Sequence, residues 1–204
     1  MSQPAYTRMG VDERYRQLLE AGTALFAEHA YEEISMRQIA AAAGVSKALL
    51  YHYFPSKLDL FKAAVAEAAD TLSRLIEPSG TGTPLEQLTA SLDAYLGWIE
   101  ANAPTWRKLM QSAATLPEAR ELVEGFRSRT LQRAVSELTG TEQAPPALRT
   151  ALQGWLGYLD AALLDWTGYL DLPRATVRDL LVAAFGAALF AAQQADPELE
   201  LRLG

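Results

Sequence analysis

Residues 35–57, SMRQIAAAAGVSKALLYHYFPSK, constrain the fold more tightly than any other stretch of the chain. Ser35 followed three residues later by Gln38 is a capping box, in which each side chain satisfies a backbone N–H at a helix start. The helix it opens, about 36–43, ends at Gly44, because glycine accepts the left-handed conformation of a tight turn. Ser46 caps a second short helix over about 47–53. Ser56 with Asp59 reads as another capping box, opening a longer helix to about Ile76. Two short helices joined by a three- or four-residue turn containing Gly form a helix-turn-helix. Such a unit needs a small residue where the helices cross, and Ala40 lies one turn before Gly44. It also needs buried positions on both helices, and Ile39, Ala43, Val45 and Leu50 supply them.

The charge pattern says what this unit faces. The chain carries a net charge of −7, which by itself argues against nucleic acid. Yet residues 1–62 hold seven Lys/Arg against seven Asp/Glu, and residues 63–204 hold eleven against eighteen, so the whole deficit lies in the second part. Ile34 to Leu58 contains Arg37, Lys47 and Lys57 and no acid. Lys47, Tyr51, His52 and Lys57 lie on or beside the second short helix. This suits the N-terminal end of a recognition helix entering a major groove, with flanking cations on phosphates. An ordinary helical hairpin with basic exposed residues is the competing reading. Three cations alone do not beat it, but spacing, caps and the acid-free segment together do.

The rest of the 204 residues reads as helix almost throughout, rich in Ala, Leu and Glu and without β-branched runs. Helices are expected over about 12–30, 84–102, 104–113, 117–138, 146–170 and 174–194, with residues 1–11 as a flexible tail. Glu77 to Pro84 (EPSGTGTP) is the clearest break, and Gly140 to Pro146 is a second loop. There is no cysteine, and only His29 and His52 among histidines. With no HExxH, no paired histidines and no phosphate-binding Gly loop, nothing supports an enzyme, a metal site or a cofactor. The N-terminus lacks the apolar core of a secretory signal. The longest apolar run, Leu181 to Ala192, is well short of the ~18–20 residues that span a bilayer. The expectation is a cytoplasmic protein with no membrane partner.

At the helix-turn-helix the pattern becomes specific. I34-S-M-R-Q-I-A, A43-G-V-S-K and L50-Y-H-Y-F-P-S-K57 resemble the DNA-binding domain of the TetR (tetracycline-repressor) family of bacterial regulators over residues 12–62. The resemblance implies an all-α chain of about nine helices. An N-terminal three-helix DNA-binding domain (12–62) would precede a helical ligand-binding and dimerisation domain (63–204). It implies a homodimer acting as a ligand-released repressor on a double-stranded operator. Carried over by position, it assigns DNA contacts to Ser35, Arg37, Ser46, Lys47, Ala48, Tyr51, His52, Tyr53 and Lys57. Ala48 departs from the glycine common in the family. Phe54 is read as core, and Tyr53 competes between core and contact.

All four tryptophans, Trp98, Trp106, Trp155 and Trp166, lie in the second part. Trp155, Tyr158, Ala162, Trp166 and Tyr169 recur at helical spacing, as a core stripe or as one wall of a small-molecule pocket. The expected effector site is Trp98, Asn102, Trp106, Met110, Phe126, Trp155, Tyr158 and Asp160, taking an apolar ligand that is aromatic or polycyclic. The helix over 146–170, with few polar residues on any side, and the one over 174–194, rich in Ala and Gly, suggest the homodimer interface over about 146–194. The alternative function is a helical interaction module or an enzyme without DNA binding. Lys47, Tyr51 and Lys57 speak against the first, and the missing catalytic groups against the second.

Overall fold

The computed structural model describes residues 10–77 and 82–202. The tail expected at residues 1–11 falls mostly outside them. Among the described residues there are nine α-helices and no strand: α1 (Val11–Glu28), α2 (Met36–Ala42), α3 (Lys47–Tyr53), α4 (Lys57–Leu75), α5 (Pro84–Ala101), α6 (Ala103–Thr115), α7 (Pro117–Thr139), α8 (Pro146–Tyr169) and α9 (Arg174–Ala195). One 3-10 turn, Tyr31–Glu33, lies between α1 and α2. It is too short to carry a periodic signal in the sequence.

Local chemistry fixes the boundaries. The Ser35–Gln38 and Thr83–Glu86 boxes are both closed reciprocally. The Ser56 box is one-sided: Ser56 Oγ accepts from the Asp59 N–H but donates to the Asp59 carboxylate. Asp, one methylene shorter than Glu, does not reach back to the backbone. After α2 the chain makes a Schellman turn, with Gly44 at φ +65°, Val45 N–H bonded to Ala40 O at 2.9 Å and Gly44 N–H to Ala41 O at 3.1 Å. Gln17 of α1 donates to Ala43 O at 3.0 Å, satisfying a helix-end carbonyl across the head.

The N-terminal core gathers Leu18, Phe26, Ile39, Leu50, Phe54, Leu60 and Phe61, with Phe54 buried as expected. At Gly22 a Cβ would stand 2.7 Å from Leu60 Cδ2, so α1 and α4 cross in close contact there. This core does not stop at the helix-turn-helix. Ala113 of α6 and Ala119 of α7 are buried within it, and Leu109, Leu116 and Val123 pack against it. α4 runs through residue 62, so head and body share a helix.

In the body α8 packs along α9, and α5 lies against α9. Leu96, Ile99, Trp106, Leu163, Trp166 and Leu181 form one core, and Leu148, Leu152, Phe185 and Leu189 part of another. α8 is apolar on all sides but buries only one. Leu152, Leu159, Leu163 and Trp166 face inward, whereas Tyr158 and Tyr169 are 43% and 74% exposed. The aromatic stripe expected along α8 therefore splits. A step of three residues turns the helix by about 300°, which carries Tyr158 about 60° off the line through Trp155. α9 is long and apolar enough to cross a bilayer by length and composition. Val177, Leu181, Phe185 and Leu189 are nonetheless buried in the fold.

Candidate nucleic-acid interface and ligand cavity

α2 and α3 present one exposed polar surface. Ser35, Arg37, Ser46, Lys47, Ala48, Tyr51 and His52 are all exposed on it. Ser46 Oγ is occupied as the α3 cap, accepting from Leu49 N–H at 3.2 Å. Ser35 is likewise the α2 cap. The Lys47 ammonium stands 5.5 Å from the Tyr51 ring centroid, so cation and phenol occupy one patch at the start of α3. Ala48, at the head of the helix, leaves its methyl exposed.

Two of the expected contact residues turn inward instead. Tyr53 is half-buried and packs on the head core. Lys57 Nζ donates to Tyr31 O at 2.7 Å and to Ile34 O at 2.8 Å, and lies 4.1 Å from the Tyr31 ring centroid. Burial lowers its pKa below the ordinary lysine value. Tyr31 O, which also accepts from Ile34 N–H at 3.4 Å, and Ile34 O just after the 3-10 turn hold this cation; no motif or periodicity marks so short a turn. Lys57 here ties α4 to the segment ahead of α2.

The body holds a cavity of about 170 Å³ between α4, α5, α6, α7 and α8. Of the residues expected around an effector, Trp98, Trp106, Met110, Phe126, Trp155 and Asp160 line it. Asn102 and Tyr158 do not. Asn102 caps the end of α5, its Nδ2 donating to Trp98 O at 2.8 Å, and Tyr158 points to the outside of α8. Val65, Ala68, Ala69 and Leu72 of α4 form another wall, unforeseen because nothing distinguishes them from core residues of a long helix. Trp155 is locked by its Nε1 donating to Leu181 O at 3.0 Å and by an edge-on contact with Phe185.

One end of the cavity is polar. The Asp160 carboxylate pairs with the Arg127 guanidinium. Burial raises the Asp160 pKa above the ordinary carboxylate value, against the opposing pull of Arg127. Burial likewise pushes the nearby Tyr95 phenol up to about 12, with Asp160's charge adding to it. Arg127 and Tyr95 were missed by sequence reasoning: an Arg and an Asp 33 residues apart carry no spacing signal.

Two family models match the chain. "Bacterial regulatory proteins, tetR family" covers residues 18–64, and "Tetracyclin repressor-like, C-terminal domain" covers residues 84–188. The chain belongs to the TetR family. The repressor KstR of Rhodococcus jostii is 30% identical to this TetR-family regulator over 157 residues, 74% of this chain and 73% of KstR. The activator FasR of Mycolicibacterium smegmatis is 36% identical over 107 residues, 52% of this chain. That match spans about half of FasR, 49% of its length. A solved TetR-family regulator from Streptomyces coelicolor superposes with a TM-score of 0.82 at 29% identity, over 93% of this chain and 86% of its own. The TetR-family chain is a DNA-binding transcription regulator and not an enzyme.

Proposed function

We propose that this regulator is a homodimeric repressor, released from a two-fold-symmetric operator by a small apolar effector held between α4 and α8. One observation carries the reading. α4 contributes Leu60, Phe61 and Ala64 to the head core and Val65, Ala68, Ala69 and Leu72 to the cavity wall. A ligand that favours one placement of α4 therefore moves the reading head. Two recognition helices fit a duplex only at a separation near one helical turn or a multiple of it. A coupling of about 1–3 kcal/mol lowers operator affinity about 5–150-fold.

The exposed faces of α8 and α9 support the dimer. Gly154, Gly157, Ala161, Leu164 and Gly168 on α8 and Leu180, Ala183, Ala187, Phe190 and Ala191 on α9 are exposed. Small residues with scattered large apolar ones suit close packing of two helices from each subunit. DNA contact is assigned to Ser35, Arg37, Ser46, Lys47, Ala48, Tyr51 and His52, in a regulator working in the bacterial cytoplasm.

Selection from random duplexes tests the reading. It should recover a palindromic or near-palindromic motif, and operator affinity should fall steeply with salt through counterion release. A pool that returns no motif sinks the reading. A reporter placed behind the selected duplex separates repression from activation, the role in FasR's name.

A further inference from the structure

The effector cavity has a neighbour. A second, open-sided cavity of about 450 Å³ lies between the start of α5 and the second halves of α7 and α9, with Phe190 of the proposed dimer face at its rim. Ile76, Leu88, Ser91 and Thr130 line both cavities, so the two meet at one shared wall. Ser91 Oγ donates to Ile76 O across that wall at 2.9 Å. Ile76 is the residue that caps the end of α4. Its carbonyl is one of the helix-end acceptors that need a partner from outside the helix. The join between the two cavities is thus also a tie holding the end of α4 to α5.

Size bears on the ligand. A cavity of about 150 Å³ takes one benzene, so the inner cavity alone is filled by about six to eight carbons. Ligand sites of drug-like molecules run about 300–1,000 Å³, a range that the outer cavity reaches. Charge bears on it too. The polar end of the inner cavity is an ion pair, Arg127 with Asp160, and the outer cavity carries Arg133 and Glu137, again one of each sign. A carboxylate entering the inner end meets the like charge of Asp160, and an ammonium that of Arg127. Either adds an uncompensated charge beside a pair whose side chains are only 28% and 21% exposed, which is costly. An uncharged hydroxyl, carbonyl or amide bonds to the pair without breaking it.

Building on the effector reading above, we infer that the ligand is an elongated, uncharged amphiphile. Its polar terminus sits at Arg127–Asp160, its aliphatic chain runs into the outer cavity, and its passage displaces the Ser91–Ile76 hydrogen bond. Length then becomes the trigger. A short molecule fills the inner cavity and leaves α4 tied to α5, whereas a long one separates them and moves the head.

The test uses the full chain, a labelled duplex from the random-pool selection, and three probes: hexan-1-ol, dodecan-1-ol and dodecanoate. Tryptophan fluorescence reads the inner cavity, which three tryptophans line. Anisotropy of the duplex reads release. Both alcohols should change the fluorescence, and only dodecan-1-ol should lower operator affinity, by about 5-fold or more. Dodecanoate should need at least about tenfold higher concentration, the equivalent of ~1.4 kcal/mol. Ala134→Phe, on the wall of the outer cavity, should lose release by dodecan-1-ol while hexan-1-ol still alters the fluorescence. Gly186→Leu adds bulk to the same cavity from α9, where a Cβ meets nothing within 4 Å, and should do the same. Equal release by the two alcohols, tighter action of dodecanoate, or undiminished release in both variants would each overturn the proposal. If none of the probes alters the fluorescence and a compound of another class releases the duplex, this ligand class is wrong and the effector reading stands. If compounds of every class fail to release it, both fall.

Discussion

The Lys57 ammonium lies over the Tyr31 ring, 4.1 Å from its centroid, and bonds to the Tyr31 carbonyl at 2.7 Å. Tyr31 in turn packs edge-on against Phe61 and stacks with Phe26. A cation beside the exposed face of α2 and α3 is thereby withdrawn into the scaffold that holds this face in place. Lys47, ten residues earlier, stays exposed.

The two lysines should therefore behave differently. Lys57→Met removes two charge-assisted bonds and should destabilise the fold by about 1–3 kcal/mol. The slope of log affinity against log salt should stay unchanged. Lys47→Ala should leave the melting temperature nearly unmoved and flatten that slope by about 2 for the dimer, one lost phosphate contact per subunit. Salt titrations of operator binding beside thermal melts check both.

Gly22→Ala should destabilise the head. Its added Cβ would stand 2.7 Å from Cδ2 and 3.0 Å from Cγ of the fully buried Leu60, whose side chain then has to shift within the core. Overpacking costs about 1–3 kcal/mol, while Ala gains up to about 1 kcal/mol over Gly in helix propensity. The expected net loss should shrink in Gly22→Ala/Leu60→Ala relative to the sum of the single changes. A denaturation-based double-mutant cycle measures it.

Ala187→Glu should abolish the dimer and leave the monomer folded. Ala187 is exposed in the protomer, so the carboxylate costs nothing until a second subunit covers it. Light scattering at micromolar concentration should give a dimer for the wild type and a monomer for the variant, with matching helical circular dichroism. A wild-type monomer would rule out the α8–α9 interface.

Asp160 supplies a pH signature. Its pKa in the folded chain is raised, chiefly by burial. As pH falls from neutral toward the ordinary carboxylate range, the folded chain takes up this proton before the unfolded chain does, so Asp160 weighs less against folding at the lower pH. Asp160→Asn removes that contribution. The melting temperature of wild type minus that of the variant should therefore rise as the pH is lowered across this range.

Much of the DNA-reading head was legible because its determinants are local. Ser35, Gln38, Gly44 and Ser46 act within a few residues of themselves, and the helix bounds follow from them. The inward turn of Lys57 was not legible, because its partners are the carbonyls of Tyr31 and Ile34, more than twenty residues back. The cavity was half legible. Tryptophans announce a place rich in apolar area, but helical spacing does not separate inner Trp155 from outer Tyr158 without the neighbouring helices. Arg127 and Asp160 meet only because α7 and α8 pack around the cavity, and no pattern along either helix foretells it.

Ala113 and Ala119, set among the core residues of the reading head, bear on how the molecule melts. The apolar surface that closes the head belongs to α6 and α7. Residues 10–75 cut free of the body would expose the apolar face of the head that α6 and α7 cover, and would lose the cooperativity that this shared core provides. Head and body should thus unfold in one calorimetric transition, with calorimetric and van't Hoff enthalpies in agreement. Amide protons in α1 should exchange as slowly as those in α6, since opening either helix opens the core they share.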